Sequence, residues 1–75
     1  MGANIRWGIA GTGDIARQFA SDLRFVHNAE LVAVGSRRQE TADLFARAHH
    51  IPRAHPNYEA LAADPEVDVV YVASP

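Results

Sequence analysis

The spacing of apolar residues changes several times along the chain, and each change marks the border of an element. From Asn4 to Ala10 a weak alternation becomes continuously apolar, with Ile5, Trp7 and Ile9 on one face and small residues between them. That is the pattern of a strand covered on both sides in a parallel sheet. Ile15, Phe19 and Leu23 then recur every four residues beside Ala16 and Ala20, while Arg17, Gln18 and Asp22 face away, which predicts an amphipathic helix. After a connection over Val26 to Ala29, the run from Glu30 to Gly35 reads as a second strand, built on Leu31, Val32 and Val34. A second helix is expected from about Gln39 to His49, with Ala42, Phe45, Ala46 and His49 on its buried face. Pro52 prevents its continuation. His50 stands where a helix usually ends on glycine, in a left-handed backbone position that histidine sometimes occupies. Arg53 to His55 leaves room only for a very short strand, because Pro56-Asn57 opens a turn and Tyr58, Leu61 and Ala62 return to helical spacing. That short helix ends near Ala63, before Asp64-Pro65. The run from Val67 to Ala73 is the most strand-prone of all.

The succession is therefore β-α-β-α-β-α-β, an α/β protein with one-helix crossovers and a parallel sheet. The first two helices belong on one sheet face and the short one on the other. Composition narrows the class only slightly. Seventy-five residues allow one domain, and 48% hydrophobic with 21% charged residues is a globular balance. A net charge of −2 offers no general attraction for nucleic acid, despite the local Arg37-Arg38 pair. No apolar run approaches the roughly 18 residues of a membrane span. The absence of cysteine excludes disulfides and thiolate metal sites and fits a cytoplasmic, reducing setting.

Chemistry enters at Gly11-Thr12-Gly13-Asp14-Ile15-Ala16, a G-x-G-x-x-A turn between the first strand and the first helix. Gly11 permits the tight turn, Gly13 lets a pyrophosphate approach the backbone, and Ala16 keeps helix and strand close. Helix-start amides, unpaired within the helix and at the positive end of its dipole, suit phosphates. Asp14 favours the helix dipole, yet its charge opposes a bound phosphate. Ligands in such sheets lie beyond the carboxyl ends of the strands, where the glycine turn, Ser36-Arg37-Arg38 and the last strand's end at Ala73 to Pro75 converge. An acidic residue after the second strand is the usual partner of the NAD ribose; Ser36, Arg37 and Arg38 instead suit a 2′-phosphate, so NADP(H) is favoured over NAD(H). The competing view has Ser36 capping the second helix, Gln39 completing a capping box, and both arginines solvated. His49, His50 and His55 lack metal-ligand spacing, so no metal site is expected. Tyr71 is read as core or edge packing.

Taken together, the chain resembles the glucose–fructose oxidoreductase / inositol dehydrogenase family. The resemblance is carried by residues 7–16, by Glu30-Leu31-Val32-Ala33-Val34-Gly35-Ser36-Arg37, by Tyr58-Glu59-Ala60-Leu61, and by residues 64–75. It implies the N-terminal part of a Rossmann-type dinucleotide-binding domain over residues 1–75, with sheet order 3-2-1-4. It also implies a parent NAD(P)-dependent oxidoreductase acting on sugars, polyols or related carbonyl compounds. By the same resemblance Gly11, Thr12, Gly13, Asp14 and Ile15 approach the pyrophosphate, Ser36, Arg37 and Arg38 the adenosine ribose, and Ser74 and Pro75 the nucleotide further along. The family's catalytic lysine, in a Glu-Lys-Pro motif, has no counterpart in these residues, nor has its substrate domain. No catalytic residue is therefore assigned, and the isolated chain is expected to be inactive. The alternative is a stand-alone or engineered half-domain that binds nucleotide, or merely folds, without catalysis. A methyltransferase start is disfavoured by Ser36, which stands where an acidic residue is wanted. The unpaired outer edge of Val67 to Ala73, or the thinly covered sheet face, is expected to drive self-association as a two-fold dimer.

Overall fold

A computed structural model of the chain describes residues 4–73. The expectation for Ser74 and Pro75 lies outside these residues. Seven elements follow in order: β1 (Ile5–Ala10), α1 (Asp14–Leu23), β2 (Ala29–Gly35), α2 (Gln39–His49), β3 (Arg53–His55), α3 (Tyr58–Ala62) and β4 (Val69–Val72). The four strands form one parallel sheet in the order β3-β2-β1-β4, a Rossmann-like α/β fold with a third strand of three residues.

Two apolar layers sandwich the sheet. On one face Ala16 and Ala20 of α1 and Phe45 and Ala46 of α2 pack with Ile9, Val34, Ile51 and Ala73. Small residues let α1 lie close to the strands, and Phe19 fills the space at its flank. The Phe19 ring meets Trp7 edge-on at 5.4 Å between centroids and stacks on Tyr71 at 4.0 Å. Tyr71 is thus a packing residue. The opposite face carries a smaller cluster in which Leu61 of α3 is enclosed by Ala10, Val32 and Ala33. Both faces of the sheet are therefore covered unequally, two helices against one short helix.

One irregularity breaks the two-residue period of β2. Trp7 pairs with Leu31 but Gly8 pairs with Ala33, so Val32 is an extra residue on the β2 side. A bulge of this kind displaces every later side chain by one position. Leu31 and Val34 consequently both serve the α1/α2 layer, whereas Val32 and Ala33 both serve the α3 layer.

The last strand begins later than the apolar run. Residues 64–67 form a turn in which the Val67 amide donates to the Asp64 carbonyl at 3.1 Å. Arg6 of β1 then clamps Asp68: its amide donates to Asp68 Oδ2 at 2.8 Å, and its guanidinium bonds both Asp68 oxygens and Glu66. The Asp68 amide returns a 2.7 Å bond to the Arg6 carbonyl. These bonds hold the Asp68 carboxyl below the usual carboxylate range.

Asp64 anchors the same turn from beneath. Its side chain is fully buried, with Oδ2 at 2.6 Å from Arg53 Nε and 2.7 Å from His55 Nε2, and Oδ1 accepting the Glu66 amide at 2.9 Å. The short strand β3 is fixed to the turn before β4 by this group rather than by a long ladder. The end of α2 follows expectation: His50 adopts φ 58° and ψ 44°, left-handed, and the Ile51 amide donates to the Ala46 carbonyl at 2.8 Å.

The start of α2 does not follow the capping-box view. Its N-cap is Arg38, and no side chain caps it. Ser36 still belongs to the sheet end, with its amide bonded to the His55 carbonyl at 3.2 Å, two residues too early to serve the helix.

Candidate functional site

At the carboxyl end of β1 the backbone turns through Gly11, whose φ of 123° is unfavourable for any residue with a side chain. The Gly11 amide continues the sheet by donating to the Gly35 carbonyl at 2.9 Å. Gly13 is the N-cap of α1 and supplies no side-chain cap. The first intrahelical bond runs from the Arg17 amide to the Gly13 carbonyl at 3.0 Å. The amides of Asp14, Ile15 and Ala16 therefore precede the helical ladder, without intrahelical acceptors.

These groups border a cleft of about 470 Å³, lined by Gly11 to Ile15 with Tyr58 and Ala73. A Cβ built on Gly13 would meet no atom within 4 Å. The absence of a side chain there leaves open space over the helix start rather than relieving an internal clash. The phosphate-opposing charge of Asp14 has a local answer, since its carboxylate is ion-paired with Arg17 one turn along α1. Both groups are exposed, so the pair shapes the local field more than it stabilises the helix.

The expected convergence of three strand ends is realised as far as the described residues reach. Gly35 at the end of β2 is bonded to Gly11, and the Ala73 amide after β4 donates to the Ala10 carbonyl at 2.9 Å. Of the residues after β2, Ser36 is 7% exposed whereas Arg37 and Arg38 project into solvent. Arg38 reaches Glu40 at 3.0 Å. Among the described residues Arg37 has no ion-pair partner. Two participants were not singled out from the sequence as site or anchor residues. Tyr58 lines the cleft from α3, and in the sequence it stood out only as the start of a short helical pattern and of the Tyr58-Glu59-Ala60-Leu61 segment. Asp64 carries the buried charge beside the site's supporting strand, where an Asp-Pro pair reads simply as a turn.

Elsewhere the chain offers less chemistry. A broader, shallower hollow of about 560 Å³ lies between the end of α2 and β3, lined in part by Asp43, Arg47 and Ile51. His49 packs its ring on Phe45 at 4.4 Å between centroids, and burial, with nearby Arg17, Arg24 and His50, lowers its pKa. Among the described residues no group of three histidines or carboxylates is placed to hold a metal, and no helix is long and apolar enough to cross a membrane.

A parallel sheet, a glycine turn at its switch point and free helix-start amides define the nucleotide-binding class of α/β domain. Residues 5–75 match the model of an oxidoreductase family with an NAD-binding Rossmann fold, and the chain belongs to that family. The trans-1,2-dihydrobenzene-1,2-diol dehydrogenase of Danio rerio is 46% identical over 72 residues, and that of Sus scrofa 43%. Each alignment covers 93% of this chain and 22% of the relative. Among solved structures, a myo-inositol dehydrogenase from Lactobacillus casei in complex with NAD(H) and myo-inositol is 33% identical with a TM-score of 0.83. The match covers 95% of this chain and 22% of that one. A 3-ketoreductase from Actinomadura kijaniata in complex with NADP is 34% identical with a TM-score of 0.88, over 96% and 23% of the two chains. The chain thus spans about a fifth of the length of the relatives it matches.

Proposed function

We propose that this chain is the cofactor-holding part of an NADP-preferring oxidoreductase whose substrates are sugars, polyols or related carbonyl compounds. The observation that carries the reading is the open backbone at Gly13 beside three helix-start amides without intrahelical acceptors. A pyrophosphate fits that cradle because it supplies negative charge where the amides and the helix dipole offer positive. Gly11, Thr12, Gly13, Asp14 and Ile15 would hold it. Ser36, Arg37 and Arg38 would hold the adenosine ribose, and Ser74 and Pro75 the nucleotide further along. The bound nicotinamide would exchange a hydride with the substrate, and this chain's own part is to bind and orient.

The preference for NADP(H) rests on Arg37, which has no ion-pair partner among the described residues and so has its guanidinium available for a 2′-phosphate. The relatives in complex with NAD(H) and with NADP support either dinucleotide. None of the 75 residues is assigned a catalytic role. A cytoplasmic setting fits the absence of cysteine. Because β4 is an edge strand among the described residues, with Val72 69% exposed, the isolated chain would pair with a second copy along it.

Titration with NADPH and NADH tests the reading, using the wild type, Gly13→Val and Arg37→Ala. Gly13→Val should abolish binding of both cofactors while lowering the thermal midpoint by no more than the few degrees expected for a poorer N-cap. Arg37→Ala should weaken NADPH alone. A chain that binds neither cofactor favours the half-domain alternative, and equal binding by wild type and Gly13→Val overturns the site.

A further inference from the structure

Tyr58 of α3 lines the same cleft as the glycine turn. It is the first residue of α3, and two features hold it in place. Asn57 caps the helix, with Oδ1 accepting the Ala60 amide at 2.7 Å. The helix start is also pressed onto the end of β2, where a Cβ on Gly35 would lie 3.2 Å from the Asn57 carbonyl oxygen and 3.0 Å from Leu61 Cβ. The half-buried ring packs on the Ala10, Val32, Ala33 and Leu61 cluster, so its backing is apolar and fixed. Its phenol has no hydrogen-bond partner among the described residues, and no buried side-chain polar atom there is left unpaired, so the hydroxyl lies where solvent reaches it.

An anchored aromatic ring with a free O–H, across a cleft from three free amides, has a defined use if the cleft takes a dinucleotide. We infer that Tyr58 is a pyrophosphate-binding residue, its hydroxyl donating to a phosphate oxygen from the side opposite the α1 amides. The inference rests on the dinucleotide reading above. A phosphate held from one side only by backbone amides keeps oxygens free on the other, and a phenolic O–H is a good donor to an ionised oxygen. Tyr58 belongs to the α3 layer and the amides to α1 on the opposite sheet face, so the two sets come to the shared cleft from different elements.

The test is Tyr58→Phe, which keeps the ring and its packing and removes only the donor. Its affinity for NADPH and for NADH should fall by the same factor, roughly tenfold, as expected for one lost hydrogen bond to an ionised group. The pyrophosphate is common to both cofactors, so this loss is distinct from that of Arg37→Ala, which touches NADPH alone. The melting temperature should not change. Unaltered affinity in Tyr58→Phe, in a protein whose binding Gly13→Val abolishes, overturns the inference while leaving the dinucleotide site standing. A lowered melting temperature in Tyr58→Phe also overturns it, because the hydroxyl would then serve the fold. If Gly13→Val binds as well as wild type, the site itself is refuted and the Tyr58 inference falls with it.

Discussion

Replacing Asp64 by asparagine keeps the side chain's shape and leaves an oxygen for the Glu66 amide, but it removes the charge that Arg53 and His55 address. Burial by itself would raise the Asp64 pKa. The hydrogen bonds from Arg53, the Glu66 amide and His55, with the Arg53 charge, overcome that effect and hold the carboxyl at about 2 rather than 3.8. One pKa unit corresponds to about 1.4 kcal/mol, so the arrangement adds on the order of 2 kcal/mol to folding at neutral pH. Losing one partner of a fully buried ion pair costs about 3–5 kcal/mol, and here the cost should be smaller because the Arg53 side chain is 44% exposed and can turn to water. The depressed pKa fixes the sign of the pH dependence. The stabilisation is complete above pH 3.8 and is lost as pH falls through about 2.

Urea unfolding followed by the single tryptophan, Trp7, which lies against Phe19, measures this directly. With a slope of about 1 kcal/mol/M for a chain this small, Asp64→Asn should lower the midpoint by roughly 2 M at pH 7. The gap between variant and wild type should then close between pH 4 and pH 2. A gap below about 0.5 kcal/mol at pH 7, or one that persists unchanged at pH 2, would refute the proposed role of the buried carboxylate.

Three further outcomes are expected. His50→Gly removes a side chain from a left-handed backbone position and should stabilise the chain by about 0.5–1 kcal/mol, read as a rise of a few degrees in the thermal midpoint. Gly35→Ala pushes a methyl group to 3.0 Å from Leu61 Cβ and should destabilise by about 1–3 kcal/mol in the same urea assay; a neutral result would mean that α3 yields freely. Val72→Lys puts a charge on the exposed edge of β4 and should shift the light-scattering mass of the isolated chain from dimer toward monomer, and a wild type already monomeric at micromolar concentration removes the edge-pairing proposal.

The order of elements, their parallel arrangement and the glycine turn could be read from local signals alone. Apolar spacing of four against two separates helix from strand, a one-helix crossover dictates parallel neighbours, and no common turn but a glycine one fits Gly11. The left-handed His50 was readable too, because a helix stopped by Pro52 has few other ways to end.

Where local signals failed, contacts distant in sequence decided the outcome. The bulge at Val32 lies inside an unbroken apolar run, which is compatible with several registers, and its partner strand and two unequal layers choose among them. Ser36 has the sequence of a cap but is held in the sheet by His55, nineteen residues away. Val67 has strand propensity and begins the same run, yet a turn anchored by Asp64 and a clamp from Arg6 on Asp68 delay β4 until Val69. The sequence by itself determined which residues form the glycine turn and the open helix start, since that depends on backbone freedom and helix polarity. Only the tertiary structure decided what faces the turn, because Tyr58, Arg17 beside Asp14, and the Asp64 anchor acquire their roles from neighbours that the chain brings together on folding.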